Sequence, residues 1–258
     1  MLERKKDRTA AIQQSLLNGG TLYPLSFFDS RKYIQHNVKV KDGLGPIYAY
    51  MDALPKDRRS VRVCRAVEDG EFSFVHNDYR LGNLGAMAAF EVHRWEDDRI
   101  VEHWDNLQSS PDEPNPSGRT MTDGAAVVCD LDKTAENKAL VERYTIRVLI
   151  GRDLAILDSF FDGDKLLQHN PVVGDGVAAI RQSLVGESAC YDKLHRLIGE
   201  GNFVLAISEG RSPGGQGMNQ PTAFFDLYRV AHGRIVEHWD VVEMIPPPEQ
   251  WVNSNGKF

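Results

Sequence analysis

IVEHWD occupies Ile100–Asp105 and returns letter for letter at Ile235–Asp240. Trp and His are rare, so a six-residue string holding both does not recur by chance in a chain of 258 residues. A repeat has to be read first, because it decides how every segment around it is assigned. Working outward, FEVHRWEDDRIVEHWD (Phe90–Asp105) lies over FDLYRVAHGRIVEHWD (Phe225–Asp240). SFFDSRKYIQHNVKVKDG (Ser26–Gly43) lies over SFFDGDKLLQHNPVVGDG (Ser159–Gly176) without a gap, with SFFD, QHN and DG identical. Between these blocks Gly70 and Phe72 face Gly201 and Phe203. The separation stays nearly constant and is far longer than a solenoid repeat, so the chain carries two copies of one domain.

Splitting 258 residues in two gives each copy an ordinary domain length. QSSPDEPNPSGRTMTDG (Gln108–Gly124) is rich in Pro, Ser, Gly and Asp and reads as a linker. The expected division is a first domain over 1–108, a linker over 109–131 and a second domain over 132–258. The second domain opens on a helix with Asp132 and Thr134 as possible caps and Leu140, Val141, Tyr144, Val148 and Leu149 at helical spacing. Its counterpart runs from about Arg4 to Leu17 and is ended by Asn18, Gly19 and Gly20. Each copy then reads as a short helix through SFFD, an extended QHN segment and a helix after DG. Four strands follow, in the second copy Leu194–Glu200, Asn202–Glu209, Thr222–Val230 and Arg234–Met244. EDGE (Glu68–Glu71), GEGN (Gly199–Asn202) and AHGR (Ala231–Arg234) read as tight hairpin turns. Helices first and an antiparallel meander afterwards make an α+β class.

A composition of 41% hydrophobic and 26% charged residues fits a globular chain, and a net charge of −7 argues against a nucleic-acid partner. The basic stretch Arg4, Lys5, Lys6, Arg8 is diluted by Glu3 and Asp7 and reads as a solvated helix face. MLERKKDRTAAIQQSLL holds no apolar run of signal-peptide length and no segment has the length of a membrane span, so a cytoplasmic location without a membrane partner is expected. Cys64, Cys129 and Cys190 suggest neither a disulfide framework nor a zinc site.

The element order, with QHNP after the second helix and RIVEHWD on the last strand, resembles the SnoaL-like branch of the nuclear transport factor 2-like superfamily, twice over. The resemblance implies two tandem cone-shaped domains, each of three helices packed on a strongly curved, mostly antiparallel sheet (a cystatin-like/SnoaL-like α+β barrel) with a pocket at one end. It also implies a choice among aldol cyclases, isomerases, epoxide hydrolases, dehydratases and domains without catalysis.

Strand alternation puts Val101, His103 and Asp105 on one face and Ile100, Glu102 and Trp104 on the other, with Val236, His238 and Asp240 against Ile235, Glu237 and Trp239 in the second copy. The SnoaL-like cyclases place an Asp acid/base at this late-strand position, which points His and Asp inward. A carboxylate in an apolar pocket is driven toward neutrality and becomes a proton carrier. Asp240 and Asp105 are the candidate acid/bases, with His238, His169, His103 and His36 as donors to an enolate oxygen, in chemistry that needs no cofactor. Candidates for contact with a small hydrophobic ligand are His195, Tyr228, Phe161, Phe28, Trp239 and Trp104. Asn37 and Asn170 read as caps of local backbone, and Val38 in place of Pro171 makes copy two the favoured working copy. His169, His195, His238 and Asp240 could also ligate a metal, but no local signature such as HExxH is present and no metal is assigned. The Gly-rich stretch Arg211–Pro221 reads as a hairpin loop near the pocket mouth, not a phosphate loop. The functional expectation is a cofactor-free acid/base enzyme for aldol cyclisation, isomerisation or dehydration of a hydrophobic carbonyl compound. The alternative is a non-catalytic ligand-binding or dimerisation module. Trp104 and Trp239 would then meet in an intrachain pseudo-dimer of the two domains, or each domain would pair in a homodimer.

Overall fold

The computed structural model describes residues 4–18, 23–53, 55, 59–185, 189–213 and 219–258. Two expectations fall partly outside them: the helix terminator Gly19–Gly20, and positions 214–218 of the Gly-rich loop. The chain forms two compact units, unit 1 being Met1–Ser109 with Pro246–Phe258 and unit 2 being Ser110–Ile245.

In unit 1, α1 (Lys5–Asn18) is followed by a 3₁₀ turn (Tyr23–Phe27), β1 (Ile34–Gln35), α2 (Leu44–Ala53) and the strands β2 (Arg59–Asp69), β3 (Phe72–Leu81), β4 (Ala86–Glu96) and β5 (Arg99–Ser109). Unit 2 repeats the order with α3 (Thr134–Tyr144), a π turn (Thr145–Ile150), a 3₁₀ turn (Leu157–Phe160), β6 (Leu167–Gln168), α4 (Val177–Ser183), β7 (Cys190–Glu200), β8 (Phe203–Pro213), β9 (Asn219–Ala231) and β10 (Arg234–Met244). The sheets run β1-β5-β4-β3-β2 and β6-β10-β9-β8-β7, antiparallel except for the two-residue strands β1 and β6, which pair parallel to β5 and β10. The expected α+β class is what the chain forms. SFFD makes only a 3₁₀ turn rather than a helix, because the chain must bend at once into the extended QHN segment. The three hairpin turns lie where the sequence placed them, with left-handed backbone at Gly70, Gly201, His232 and Gly233.

Helical spacing on α3 puts Leu140, Val141, Tyr144 and, on the following π turn, Val148 and Leu149 into one core with Phe160, Ile180 and the sheet residues Val204 and Val230. The hydroxyl of Thr134 does not cap that helix; it accepts the Gly201 N–H at 2.8 Å and so ties the helix to the β7–β8 turn.

The domain boundaries differ from the expected 109–131 linker and 132–258 second domain. The segment after β5 packs on unit 2, and the tail after β10 packs on unit 1. Both straps use the same device. The Asn115 side-chain amide donates to the carbonyls of Gln168, Asn170 and Val173 (2.7–3.1 Å), while its oxygen accepts the N–H groups of Ser117 and Arg119. In unit 1 the Asn253 amide donates to the carbonyls of Asn37 and Val40, both at 2.8 Å. NPSGR (Asn115–Arg119) and NSNGK (Asn253–Lys257) are thus a third echo of the repeat, each satisfying the carbonyls of a turn that no ladder reaches. Replacing Asn115 by Ala leaves those carbonyls without a donor and is expected to cost about 1–3 kcal/mol, read as a lower midpoint in chemical denaturation. An unchanged midpoint would contradict this role.

Candidate functional site

QHN and EHWD, separate in sequence, are two sides of one parallel ladder. Glu237 pairs with Leu167 and His238 with Gln168 in unit 2, as Glu102 pairs with Ile34 and His103 with Gln35 in unit 1. Side chains alternate across that ladder. On one face Gln168 meets His238 and Asn170 meets Asp240; on the other His169 meets Glu237 and Trp239.

The second face is closed by an ion pair and a ring stack. His169, fully buried, stacks on Trp239 with ring centroids 4.7 Å apart, and its Nε2 lies 3.0 Å from Glu237 Oε1, while Glu237 Oε2 accepts from Arg229. His36, Trp104, Glu102 and Arg94 repeat the arrangement, with the rings again 4.7 Å apart. Each histidine is held from outside by its strap, His169 Nδ1 facing the Thr120 carbonyl and His36 Nδ1 that of Gly256. Gly124 lets the unit 2 strap lie flat here: its φ is +90°, and a Cβ would come within 2.3 Å of Glu237. His36, His169, Trp104 and Trp239, predicted as catalytic or ligand-contacting, therefore stand on the face away from His103, Asp105, His238 and Asp240. Period-two alternation sends QHN's central residue to the opposite side from its neighbours.

The first face of unit 2 borders a cavity of about 200 Å³. Its walls include Tyr144, Phe161, Tyr191, Phe224 and Tyr228, and its polar groups are Asp226, His238 and Asp240 with Gln168 and Asn170 behind them. Phe161 and Tyr228 thus lie where the sequence placed them, at the cavity. The inward strand face also carries Ile235 rather than the expected Val236. A β-bulge between Ile235 and Glu237 inserts one residue and breaks the count of two. The same effect removes His195 from the pocket. It sits at a second bulge, between Leu194 and Arg196, and its Nε2 lies 3.1 Å from Glu209. Phe28 packs in the core of unit 1, edge-on to Tyr33 and His93.

Hydrogen bonding fixes the proton inventory of the site. Gln168 Oε1 accepts the Asn170 N–H at 2.9 Å, so the same atom, 3.0 Å from His238 Nδ1, can only accept there and Nδ1 carries a proton. His238 Nε2 faces Asp226 Oδ1 at 3.1 Å, so one further proton is shared by that pair. Burial favours the neutral imidazole, yet the hydrogen bond to Asp226 and the charges of Asp240 and Asp226 outweigh it and raise the His238 pKa. Asn170 Oδ1 accepts the N–H groups of Val172 and Val173, which makes its amide a donor to Asp240 Oδ2 at 2.6 Å. Asp240 Oδ1 and Asp226 Oδ2 are buried without a hydrogen-bond partner. Burial and the nearby Asp226 push the Asp240 carboxyl above its ordinary value, against the opposing pull of His238 and Asn170. Burial and Asp226 hold the Tyr191 and Tyr228 phenols well above theirs, so both remain hydrogen-bond donors, Tyr191 to Asp226 at 3.1 Å.

Unit 1 carries the same ladder: Gln35 Oε1 accepts the Asn37 N–H and the His103 Nδ1 proton, His103 Nε2 lies 2.6 Å from Glu91, and the Asn37 amide donates to Asp105 at 2.6 Å. Its surroundings differ. The buried Tyr33 and Tyr79 stand where unit 2 has Leu166 and Gly210, and His93, with its pKa held well below the ordinary value by burial, stands in place of Tyr228. The tyrosine that reaches the acid has crossed strands: Tyr79 of β3, opposite Val61, in unit 1, but Tyr191 of β7, opposite Gly210, in unit 2. In both units the ligand atoms of the acid–His–Asp cluster lie within 4.8 Å of one another, a spacing that would also suit a divalent metal.

Helices leading into a four-strand meander, a short parallel strand on the last of its members, and a cavity between sheet and helices complete the expected architecture. Each unit has an α+β fold of helices packed on a five-stranded, mostly antiparallel sheet. No protein-family model and no curated relative matches the chain. Similar solved structures include an LEH-like epoxide hydrolase of M. tuberculosis (20% identity, TM-score 0.34, 43% of this chain and 85% of that one). A SnoaL-like polyketide cyclase of Agrobacterium tumefaciens is similar at 13% identity and TM-score 0.35, over 42% of this chain and 91% of that one. A protein of unknown function with a cystatin-like fold from Xanthomonas campestris is similar at 19% identity and TM-score 0.36, over 41% and 89%. Each match spans about one unit. No described helix is long and apolar enough to cross a membrane.

Sequence reading missed Asp226, Tyr191, Gln168, Asn170 in its contact with Asp240, and both straps. The signal for the acid was present: Glu91 and Asp226 hold the same place in FEVHR and FDLYR, two residues before His93 and Tyr228. Because the folded pKa of His238 is raised, its contribution to stability is full below the unfolded value and fades as pH rises through the folded one. In NMR titration His238 is expected to titrate above 6.5, and in Asp226→Asn at a lower pH than in the wild type, since only the charge of Asp240 then opposes burial. A wild-type titration below 6.5 would contradict the shared-proton arrangement.

Proposed function

We propose that unit 2 is a cofactor-free acid/base enzyme acting on a small carbonyl compound. The observation that carries this reading is the Asp240 carboxyl: it lines an aromatic-walled cavity, with one oxygen fixed by Asn170 and the other buried without a hydrogen-bond partner, beside a doubly hydrogen-bonded imidazole. Desolvation makes such a carboxylate a stronger base than one in water. Asp240 Oδ1 takes a proton from the carbon next to the substrate carbonyl, and the electron pair moves onto the carbonyl oxygen. His238 faces the developing charge as a cation. Return of the proton to another carbon gives isomerisation, attack of the enolate on a second carbonyl gives aldol closure, and loss of a neighbouring hydroxyl with that proton gives dehydration. A cavity of about 200 Å³ lies below the ~300–1,000 Å³ of drug-sized sites, which favours a compact substrate.

Unit 1 reads as the scaffold copy, supported by Tyr33 and Tyr79 beside its cluster and by the ammonium of Lys257 against Asp105. Asp240→Asn is expected to slow solvent-deuterium exchange at the carbon next to a cyclic ketone's carbonyl by roughly 10²–10⁴-fold with the thermal midpoint retained. Equal exchange in the variant would exclude Asp240 as the base.

A further inference from the structure

The two units share a ladder but differ by one positive charge. In unit 1, Asp105 Oδ2 takes the Asn37 amide, and Oδ1, which like its unit 2 counterpart has no hydrogen bond, has the Lys257 ammonium as an ion-pair partner at 3.5 Å. Lys257 is buried and also donates to the Asp105 carbonyl at 2.8 Å. In unit 2, the basic residue at the same place in the strap is Arg119, and it turns away to pair with Asp175 in a two-pronged contact of 2.8–3.0 Å. Asp240 Oδ1 is left with no partner, and Asp226 Oδ2 with none, although both residues are more than nine-tenths buried and line the cavity. Two carboxylates thus share one imidazole where unit 1 supplies an imidazole and an ammonium. Buried carboxylate oxygens are costly to leave unpaired. The cavity walls beside them, Tyr144, Tyr191, Tyr228, Phe161 and Phe224, are aromatic rings of the kind whose faces attract cations.

We propose that the unit 2 cavity takes a small organic cation, a primary ammonium on a compact apolar skeleton, with its nitrogen against Asp240 Oδ1 as Lys257 Nζ lies against Asp105 Oδ1. The inference rests on the reading of this cavity as the substrate site and narrows the substrate to amino-substituted carbonyl compounds. An ammonium there takes one of the two lone-pair sites of Oδ1 and keeps Asp240 ionised while weakening it as a base, which leaves the other site for the proton from carbon.

The full-length chain is titrated with benzylammonium and, as its neutral isostere, benzyl alcohol, by calorimetry with NMR detection. One site per chain is expected, with benzylammonium bound at least about tenfold more tightly than the alcohol and that preference lost in Asp240→Asn. Should Asp240→Asn fail to fold, Leu166→Tyr, which brings the bulk of Tyr33 into unit 2, is expected to weaken both probes. Equal affinity for the two probes, or binding of neither, overturns the proposal. So does saturation by Zn²⁺ without any response to benzylammonium, which would assign the cluster to a metal. Benzylammonium binding without Asp240-dependent deuterium exchange would overturn the acid/base reading alone; exchange without ammonium preference would overturn this inference alone.

Discussion

The parallel pairing of a two-residue strand with the last strand of each sheet is the contact on which both units turn. It brings QHN alongside EHWD, and the alternation of side chains then does the sorting. Gln and Asn are dealt to the cavity face, where they orient His and Asp. The central His goes to the opposite face, where it closes over Trp and an acid already held by Arg. The buried ion pair and stacked rings on that outer face hold the strands in register, so the polar groups on the inner face keep fixed orientations without being consumed by one another. Breaking such a pair by removing one partner costs about 3–5 kcal/mol, which explains why a strap covers it in each unit.

Duplication preserved this ladder and changed what surrounds it. Unit 1 fills the neighbourhood of its acid–His–Asp cluster with Tyr33, Tyr79 and His93 and sets Lys257 against the carboxylate. Unit 2 has Leu166 and Gly210 in place of those tyrosines, brings Tyr191 in from the adjacent strand, and leaves one buried oxygen on each of two cavity-lining carboxylates without a hydrogen-bond partner. The same framework thus carries tyrosines and an ammonium beside its cluster in one copy and borders a cavity in the other.

Much of this was legible in the chain itself. The repeat gave two units, the apolar spacing on α3 gave its core face, and the Gly-containing turns gave the hairpins. Alternation along RIVEHWD put His238 and Asp240 together. It went wrong at Val236 and His195, because a bulge adds one residue to one strand and no single sequence marks where. It also gave QHN's His the role of its neighbours, since the parallel partner that sets their faces lies about 70 residues away in the chain. The straps escaped notice for a different reason. Asn115 and Asn253 act by satisfying carbonyls, an interaction with no periodicity, inside segments whose Pro, Ser and Gly content otherwise signals a linker.

The central claim is that burial leaves Asp240 a proton carrier rather than an ordinary surface carboxylate. Its carboxyl titration, followed by carbon-detected NMR in the intact chain without ligand, tests that claim most directly. The account predicts a midpoint above the ordinary value of 3.8, falling when an ammonium enters the cavity. A midpoint at or below 3.8 in the empty cavity would make Asp240 a structural hydrogen-bond acceptor and remove the basis for acid/base chemistry in unit 2.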